Sequence, residues 1–225
     1  MIQVDAVTHR YGDRVVLRDV TVTLTEQRVG VIGANGSGKS TFARLLNGLV
    51  LPTSGSVTVD GLSTRGRSGA QVRRSVGFVF TDPDAQILMP TVAEDVAFGL
   101  RDLPAAAVAG RVAEALESFG LAGHADHPAH LLSGGQKQLL ALCSVLVTEP
   151  KVLVCDEPTT LLDLRNTRRV LTLLSELPQR VILVTHDLDA ALAMDRVLVF
   201  DDGRLVFDGL PGTAVEFYKE LVSAG

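Results

Sequence analysis

Residues 28–47 read RVGVIGANGSGKSTFARLLN, and this stretch decides the fold. An apolar strand predicted over Arg28 to Ile32 runs into a glycine-rich loop, and a helix predicted over Ser40 to Asn47 follows the loop. The loop fits the pattern GxxxxGK[ST], in which glycines let successive backbone N–H groups face a phosphate and the helix adds its positive N-terminal end. A strand, a loop and a helix in this order predict an α/β protein that binds a nucleotide.

The polar residues of the loop have separate expected roles. Lys39 is predicted to reach the β- and γ-phosphates and to assist catalysis, and the Ser40 hydroxyl is predicted to bind Mg²⁺. A chance glycine-rich turn is disfavoured because the motif follows an apolar strand and opens a helix, as phosphate binding requires. The loop residues expected to bind ATP are Asn35, Gly36, Ser37, Gly38, Lys39, Ser40 and Thr41.

Two further apolar strands end in side chains that suit hydrolysis. Asp156 and Glu157 follow Val152 to Cys155, and Asp156 is predicted to hold Mg²⁺ while Glu157 polarises the attacking water as general base. His186 follows another apolar strand and is predicted to contact the γ-phosphate and orient that water. Solvated acids at a turn and a structural histidine are the alternatives, and the phosphate loop makes both weaker.

A second glycine-containing motif, Leu132-Ser133-Gly134-Gly135-Gln136, opens a later helix. Ser133 can cap this helix, and the two glycines fall in its first turn, which makes the helix start a site for an anion. Because the chain has no second phosphate group of its own to place there, Ser133, Gly134, Gly135 and Gln136 are predicted to bind ATP held by another copy. The alternative is a helix cap without further function.

Composition limits the class of protein. The chain has 225 residues with 46% hydrophobic content, enough for a sizeable core, and its net charge of −5 disfavours a nucleic-acid partner. No apolar run approaches the ~20 residues that a membrane helix needs, so any work at a membrane would require another protein to hold the chain there. Cys143 and Cys155 sit in apolar runs and are interpreted as reduced core thiols.

Taken in order, the four motifs resemble the nucleotide-binding domain of ABC ATPases, over nearly the whole chain. The resemblance implies ATP hydrolysis coupled to transport, and two copies packed head to tail as a homodimer. It also implies that Tyr11 stacks on adenine beside Val16, and that Asp163 lies in the D-loop and binds ATP. A surface aromatic at the end of a strand is the alternative for Tyr11.

The same resemblance implies the domain plan. The fold class is α/β, a P-loop NTPase core of the ABC ATPase type, with an N-terminal antiparallel β subdomain and an α-helical subdomain. The whole of residues 1–225 forms one ATP-binding domain, whose core and β subdomain cover residues 1–80 and 149–225. The helical subdomain covers about residues 81–148.

One position departs from the family pattern. Family members usually carry Gln directly after the strand that corresponds to Val76 to Phe80, and this chain carries Thr81. Its hydroxyl is expected to reach Mg²⁺ through water, and the usual direct contact is placed in doubt. Gln86, five residues further on, is not expected to replace it.

The segment from Asp82 to Leu100 resembles the corresponding segment of energy-coupling-factor (ECF) ATPases. In that family an acidic helix grips arginines of a membrane scaffold. The resemblance therefore implies a transmembrane T-type scaffold subunit, a substrate-binding S-type subunit, and a position at the cytoplasmic face of the membrane. The residues expected to dock are Asp84, Gln86, Glu94 and Asp95, and a solvated acidic helix start is the alternative.

The substrate is the least determined feature, because the ATPase does not touch it. The overall amino-acid sequence resembles that of the ATPases of biotin transporters. The expected substrate is therefore a vitamin, with biotin favoured. An ECF-type cobalt or nickel importer and a soluble, non-transport ABC ATPase are the alternatives. A P-loop kinase is disfavoured by Ser133 to Gln136 and by His186.

Overall fold

The computed structural model describes residues 1–101 and 103–224 and groups the chain into two compact units. The first unit comprises Met1–Phe78, Lys151–Glu157 and Leu177–Gly225, and the second comprises Val79–Pro150 and Pro158–Glu176. The expected helical subdomain over 81–148 corresponds to the first part of the second unit. Pro158–Glu176, which the sequence analysis assigned to the core, groups with the second unit instead.

The strands form two sheets. They are β1 (Ile2–Tyr11), β2 (Arg14–Leu24), β3 (Arg28–Gly33), β4 (Ser54–Val59), β5 (Leu62–Ser63), β6 (Val76–Val79), β7 (Val152–Asp156), β8 (Arg180–Val184), β9 (Arg196–Asp201) and β10 (Arg204–Gly209). The smaller sheet has the order β2-β1-β4-β5, and its pairings are antiparallel, as predicted for the N-terminal β subdomain. Alternating residues of β1 and β2 are buried, which is the period of a strand with one solvated face.

The larger sheet positions the functional residues. Its order is β10-β9-β3-β8-β7-β6, and β3, β7, β8 and β9 pair in parallel. Parallel strands bring their carboxyl ends to one edge, and ligands of such sheets bind at that edge. Gly33, Asp156 and Val184 end β3, β7 and β8 there, so the residues that follow these three strands meet.

The helices are α1 (Lys39–Leu46), α2 (Gly69–Ser75), α3 (Val92–Phe98), α4 (Ala105–Ser118), α5 (Gly134–Leu146), α6 (Leu164–Glu176), α7 (Leu188–Leu192) and α8 (Pro211–Ala224). In the first unit, α1 packs on β7, and the rings of Phe42 and Phe200, both fully buried, lie 4.8 Å apart. Burial of this face of α1 fixes the position of the helix that follows the phosphate loop.

In the second unit, α3 packs against both α4 and α5. Helix α4 buries Val112 and Leu116, which lie one turn apart on the same face. Helix α5 is buried over most of its length, including Leu139, Leu140 and Cys143. This burial explains why the sequence around α5 is apolar on nearly every side.

Helix length bears on the question of membrane contact. The longest described helices, α4 and α8, have 14 residues each, whereas spanning a bilayer takes ~20 apolar residues. Across residues 1–101 and 103–224, none of the helices has the length and apolar character needed to cross a membrane.

Candidate functional site

The loop between β3 and α1 needs glycine for backbone geometry as well as for space. Gly36 and Gly38 have φ of +81° and +101°, in the left-handed region that favours glycine. A Cβ on Gly38 would lie 2.7 Å from Leu17 Cδ2 and 2.9 Å from the Val16 carbonyl oxygen. Gly38 is also the N-cap of α1 and offers no side-chain cap, so the N–H groups of the first turn stay available to an anion.

Lys39 lies along the loop. It is 4% exposed, and its Nζ donates to the carbonyl oxygens of Gly33, at 2.7 Å, and Ala34, at 2.9 Å. Burial lowers the pKa of Lys39, and the negative charges of Glu157 and Asp156 oppose that shift. The lysine is therefore held inside the curve of the loop, where a phosphate would sit.

Another buried group in the loop fits the same ligand. Ser37 is 4% exposed, and its Oγ has no hydrogen-bond partner among the described residues. A buried hydroxyl without a partner is costly, so it usually has one in the working state of a protein. Among the other loop residues predicted to bind ATP, Asn35 and Gly36 are exposed and Thr41 is buried in α1.

Ser40 and Asp156 meet below the loop. The Ser40 Oγ donates to Asp156 Oδ1 at 2.9 Å, and Arg44 Nη2 lies 3.7 Å from Asp156 Oδ2. Burial raises the pKa of Asp156, while the Ser40 hydrogen bond and the Arg44 charge act in the opposite direction. Magnesium at nucleotide sites is held by one or two protein oxygens together with phosphates and water, so this oxygen pair fits Mg²⁺. The contribution of Arg44 carried no signal in the sequence.

Glu157 and His186 lie together at the carboxyl edge of the larger sheet. His186 Nδ1 is 3.3 Å from Glu157 Oε2, and the Glu157 amide donates to the Val184 carbonyl at 3.0 Å. Glu157 has φ of +50°, which a residue with a side chain rarely adopts. The sequence predicted both residues from strand ends, and the structure brings them within reach of one water molecule.

The start of α5 is a reciprocal cap made by the second motif. The Ser133 Oγ accepts from the Gln136 amide at 3.3 Å, and Gln136 Oε1 accepts from the Ser133 amide at 2.9 Å. Ser133 and Gly134 are exposed. A Cβ on Gly135 would lie 2.5 Å from the Asn166 side chain, so glycine is required where α6 approaches α5.

Asp163 caps α6. Its carboxylate accepts from the Asn166 backbone amide at 2.8 Å and from the Asn166 side-chain amide at 3.0 Å. The same Asn166 side chain lies against Gly135. The D-loop and the start of α5 are therefore joined through Asn166, a residue that sequence reasoning missed because 31-residue separation carries no periodic pattern.

The four residues predicted to dock a scaffold have different environments. Asp84 is 61% exposed and pairs with Lys137, and Glu94 is exposed at the start of α3, where it forms a capping box with Thr91. Gln86 is half-buried, and its amide accepts from the Phe80 amide and donates to the Ala141 carbonyl.

Asp95 does not fit the predicted role in docking. It is 5% exposed, and its carboxylate accepts hydrogen bonds from the amides of Leu88 and Met89 and from the Ser144 hydroxyl. A carboxylate that is buried and used in this way fastens its own segment and is not free to pair with an arginine of another protein. Asp95 is therefore corrected from a docking residue to a structural one.

Tyr11, Val16 and Thr81 complete the predicted set. Tyr11 is 50% exposed at the end of β1, and its ring meets the His9 ring edge-on at 4.6 Å. Val16 is half-buried, and its carbonyl lies beside Gly38 of the phosphate loop. Thr81 is half-buried, two residues after β6, in the second unit. Adenine stacking on Tyr11 and a Mg²⁺ contact by Thr81 stay predictions.

The chain is similar to known proteins over its whole length. A family model described as "ABC transporter" matches residues 17–160. A putative ABC transporter ATP-binding protein of Deinococcus radiodurans is 56% identical, with 99% of each chain covered. The biotin transport ATP-binding protein BioM of Rhizobium etli is 46% identical, again with 99% of each chain covered. The energy-coupling factor transporter ATP-binding protein EcfA1 of Ligilactobacillus salivarius is 38% identical, with 100% of this chain and 83% of the relative covered.

Solved structures agree with the sequence comparisons. The structure of cbiO1 from Clostridium perfringens, described as part of the ABC transporter complex cbiONQ, matches with a TM-score of 0.84 and 35% identity. That match covers 99% of this chain and 93% of cbiO1. A dimeric bacterial ABC transporter cassette matches with a TM-score of 0.84 and 29% identity, over 94% of this chain and 99% of the cassette.

Proposed function

This chain belongs to the ABC transporter family of ATP-binding proteins, and we propose that it powers an ECF-type importer whose substrate is biotin. As a member of this family it binds ATP and hydrolyses it as the ATPase subunit of an ABC importer of the ECF type. The observation that carries biotin as substrate is the 46% identity to BioM over 99% of both chains. Two relatives named only for energy coupling are 38% and 40% identical, and a third is 46% identical but over 81% of this chain.

Phosphate binding is assigned to the loop and Lys39. The uncapped start of α1 and the Ser37 hydroxyl supply donors, and Lys39 adds a positive charge. Lys39 would exchange its contacts with the Gly33 and Ala34 carbonyls for phosphate oxygens, which satisfies the ammonium group better than neutral carbonyls do. The loop thus holds the nucleotide before any chemistry occurs.

Magnesium would be held by Ser40 and Asp156. When bound, the ion neutralises charge on the β- and γ-phosphates during transfer. Asp156 keeps its carboxylate in place through Ser40 and Arg44. Thr81 is proposed to reach the ion through water, in place of the glutamine usual at this position.

Hydrolysis is assigned to Glu157 and His186. Glu157 accepts the proton of the attacking water as general base, and His186, 3.3 Å from that carboxylate, holds the water and faces the γ-phosphate. The left-handed backbone at Glu157 aims its side chain out of the sheet edge and into this position.

The second half of each ATP site is proposed to come from another copy of this chain. ABC ATPases function as dimers, and Ser133, Gly134, Gly135 and Gln136 present an exposed helix start suited to an anion. In a homodimer these residues close over the nucleotide held by the other copy's phosphate loop, with Asp163 beside them. Because each chain carries both the phosphate loop and the start of α5, two identical chains are the simplest way to form two complete ATP sites.

The remaining partners are proposed to be membrane proteins. Asp84 and Glu94 are exposed carboxylates on the segment that resembles the docking helix of ECF ATPases, and carboxylates pair bidentately with arginine. We assign them to a T-type scaffold subunit at the cytoplasmic face of the membrane, in a complex that also contains an S-type substrate-binding subunit. Gln86 supports this segment from within through Phe80 and Ala141.

An uptake experiment in the native host tests the proposal. The gene is deleted and replaced either by the unmodified gene or by Glu157→Gln, and uptake of labelled biotin, cobalt and nickel is measured. We expect biotin uptake alone to be lost on deletion, restored by the unmodified gene and not by Glu157→Gln. Loss of cobalt or nickel uptake with biotin uptake intact would reject biotin, and unchanged uptake of all three would reject the importer assignment.

A further inference from the structure

A histidine with no assigned role lies against the start of α5. His124 ends a short 3-10 turn, Ala122–His124, and its Nε2 lies 3.0 Å from Gln136 Nε2. Gln136 is the residue that closes the reciprocal cap with Ser133. His124 therefore touches the motif through one of the two side chains that form its cap.

Hydrogen-bond chemistry fixes which groups face each other in this contact. The Ser133 amide only donates, so the oxygen that lies 2.9 Å from it must be Gln136 Oε1. The Gln136 NH₂ group then faces His124, and because it also only donates, His124 Nε2 must supply a lone pair. The imidazole is thus neutral, with its proton on Nδ1.

The other ring nitrogen of His124 lies inside the protein. Its Nδ1 is buried and has no hydrogen-bond partner among the described residues. The titratable side chain that the described part of the chain places against it is His127, whose ring meets it edge-on at 5.0 Å. An imidazolium here would point its Nε2–H at the Gln136 NH₂ group, donor against donor, whereas the buried Nδ1–H lacks an acceptor in either form.

We propose that His124 is a positioning residue for the ATP-contacting motif at the start of α5. By accepting from Gln136, it holds the Gln136 carbonyl on the Ser133 amide and keeps the Ser133 hydroxyl presented at the helix start. Protonation of His124 replaces the acceptor by a donor and releases the cap. This inference rests on the proposed function, in which Ser133 to Gln136 complete the ATP site of a second copy.

His124 is expected to act on one of two steps of the ATP cycle, which are nucleotide binding and closure of two copies. Nucleotide binding to a single copy uses the phosphate loop of the first unit and makes no use of His124. Closure of two copies over ATP uses the start of α5 and depends on it. Loss of the His124 acceptor is therefore expected to lower kcat and to leave the affinity of a single copy for ATP unchanged.

Two substitutions of His124 test the acceptor. His124→Gln places an amide oxygen near the position of Nε2 and cannot be protonated, whereas His124→Leu keeps bulk without an acceptor. Removing one hydrogen bond is expected to lower kcat about five- to tenfold in His124→Leu, and His124→Gln is expected to rescue most of it. A fluorescent ATP analogue should bind the isolated protein equally in all three forms.

Acidity tests the second part of the proposal. Between about pH 8 and about pH 6, unmodified protein is expected to lose more of its kcat than His124→Gln loses, because the amide of His124→Gln keeps its acceptor throughout this range. His127→Gln is the matched control, since His127 contacts His124 without bonding to Gln136. It should keep the pH profile of the unmodified protein.

Several results would overturn the proposal. Equal kcat in His124→Leu and unmodified protein would remove the positioning role, and so would equal losses in the Leu and Gln variants when both melt at the unmodified temperature. Superimposable pH profiles for His124→Gln and unmodified protein would remove the protonation step. A Ser133→Arg variant separates this failure from that of the proposed function. If Ser133→Arg hydrolyses ATP normally, the motif does not act on a second copy, whatever His124 does.

Discussion

At the scale of single residues, the most informative geometry is that of Glu157. A left-handed backbone at a residue with a side chain costs of order 1–3 kcal/mol, and such strain persists where the surroundings enforce it. Here the Glu157 amide is held by the Val184 carbonyl, and its carboxylate meets His186. The strain places a carboxylate just beyond the sheet edge, while Asp156, one residue earlier, stays 1% exposed. The two adjacent acids therefore have different environments, and different roles are proposed for them: Asp156 holds Mg²⁺, and Glu157 acts as general base.

The first prediction concerns this carboxylate. Glu157→Gln should lower ATP turnover by about 100-fold or more, because an amide cannot accept the proton of the attacking water. ATP binding should persist, since Lys39, Ser40 and Asp156 are untouched, and the bound ATP should hold two copies together. Turnover is measured by phosphate release and association by light scattering.

Glu176→Gln is the matched control for this prediction. Glu176 is an exposed glutamate at the end of α6, so its neutralisation should change neither turnover nor association. Normal turnover in Glu157→Gln would remove the general-base role. Slow turnover in Glu157→Gln with no ATP-dependent dimer would keep that role and contradict the closed two-copy state.

At the scale of elements, α3 contains two adjacent acids with different environments. Glu94 faces solvent in a capping box, whereas Asp95 is buried against the amides of Leu88 and Met89 and the Ser144 hydroxyl of α5. The first acid is available to a partner, and the second ties the segment before α3 to α5. A proposed docking residue and an anchoring residue thus occupy neighbouring positions of one helix turn.

A stability measurement tests the anchoring role of Asp95. Asp95→Ala leaves the Leu88, Met89 and Ser144 donors without their acceptor, and we expect it to lower the free energy of unfolding by about 1–3 kcal/mol. Glu114→Ala, an exposed change on α4, should stay within about 0.5 kcal/mol of the unmodified protein. Urea denaturation followed by circular dichroism gives both values. Equal midpoints for the two variants would show that the Asp95 hydrogen bonds contribute no stability.

A separate prediction concerns docking. Asp84→Asn with Glu94→Gln removes both exposed charges and keeps the local hydrogen bonding, because Gln serves in a capping box as Glu does. We expect this pair to abolish uptake and co-purification with the membrane subunits, while ATP hydrolysis by the isolated protein continues. Glu216→Gln with Glu220→Gln makes the same charge change on exposed positions of α8 and should leave uptake intact. Normal uptake and assembly in the first pair would reject the docking surface.

The elements that could be predicted from sequence are those with a local signal. Strand β3, the glycine loop and α1 follow from an apolar run, two left-handed glycines and a helix start, all within a few residues. Helix α2 could not be predicted, because Val72 is the one apolar side chain that it buries and no period results. The approach of α6 to α5 could not be predicted either, because it passes through Asn166 and Gly135, which are far apart along the chain.

The candidate site shows the same limit. Strand ends and glycine patterns pointed to Lys39, Asp156, Glu157 and His186, which the structure places in the first unit, and to Ser133, which caps α5 in the second. Their roles stay predictions. Asp95 was assigned wrongly because an acid in the first turn of a helix looks the same in sequence whether it is exposed or buried. Arg44 and His124 were missed because each acts on a residue that is distant from it along the chain.

At the scale of the whole molecule, the chemistry is divided between the two units. The first unit carries the phosphate loop, Asp156, Glu157 and His186, the residues proposed to hold ATP and activate water. The second unit carries the start of α5, the D-loop and the exposed carboxylates of the docking segment. Under the proposed function, one unit handles the chain's own nucleotide, and the other presents surfaces to a second copy and to a scaffold.

Each unit also contains one buried cysteine, which allows its opening to be followed separately. Cys155 lies in β7 of the first unit and Cys143 in α5 of the second, and both are 0% exposed and free. Burial raises the pKa of Cys143 to about 12 and raises that of Cys155 still further from its ordinary value. Because the thiolate is the reactive form, alkylation of either residue requires the surrounding structure to open.

Nucleotide should protect the first unit in this assay. ATP binds only the folded loop, so ATP at 100 times its Kd stabilises that loop by about 2.7 kcal/mol and should slow Cys155 labelling by iodoacetamide about 100-fold. Peptide mass spectrometry measures both cysteines in one sample.

Lys39→Ala removes the charge that faces the phosphates and should abolish the protection. Labelling of Cys155 at the same rate with and without ATP would show either that the loop does not bind nucleotide or that β7 opens while the loop stays folded, and direct ATP binding measured on the same sample separates the two. Cys143 is followed in the same sample. Its labelling rate with and without ATP shows how far opening of the second unit depends on opening of the first.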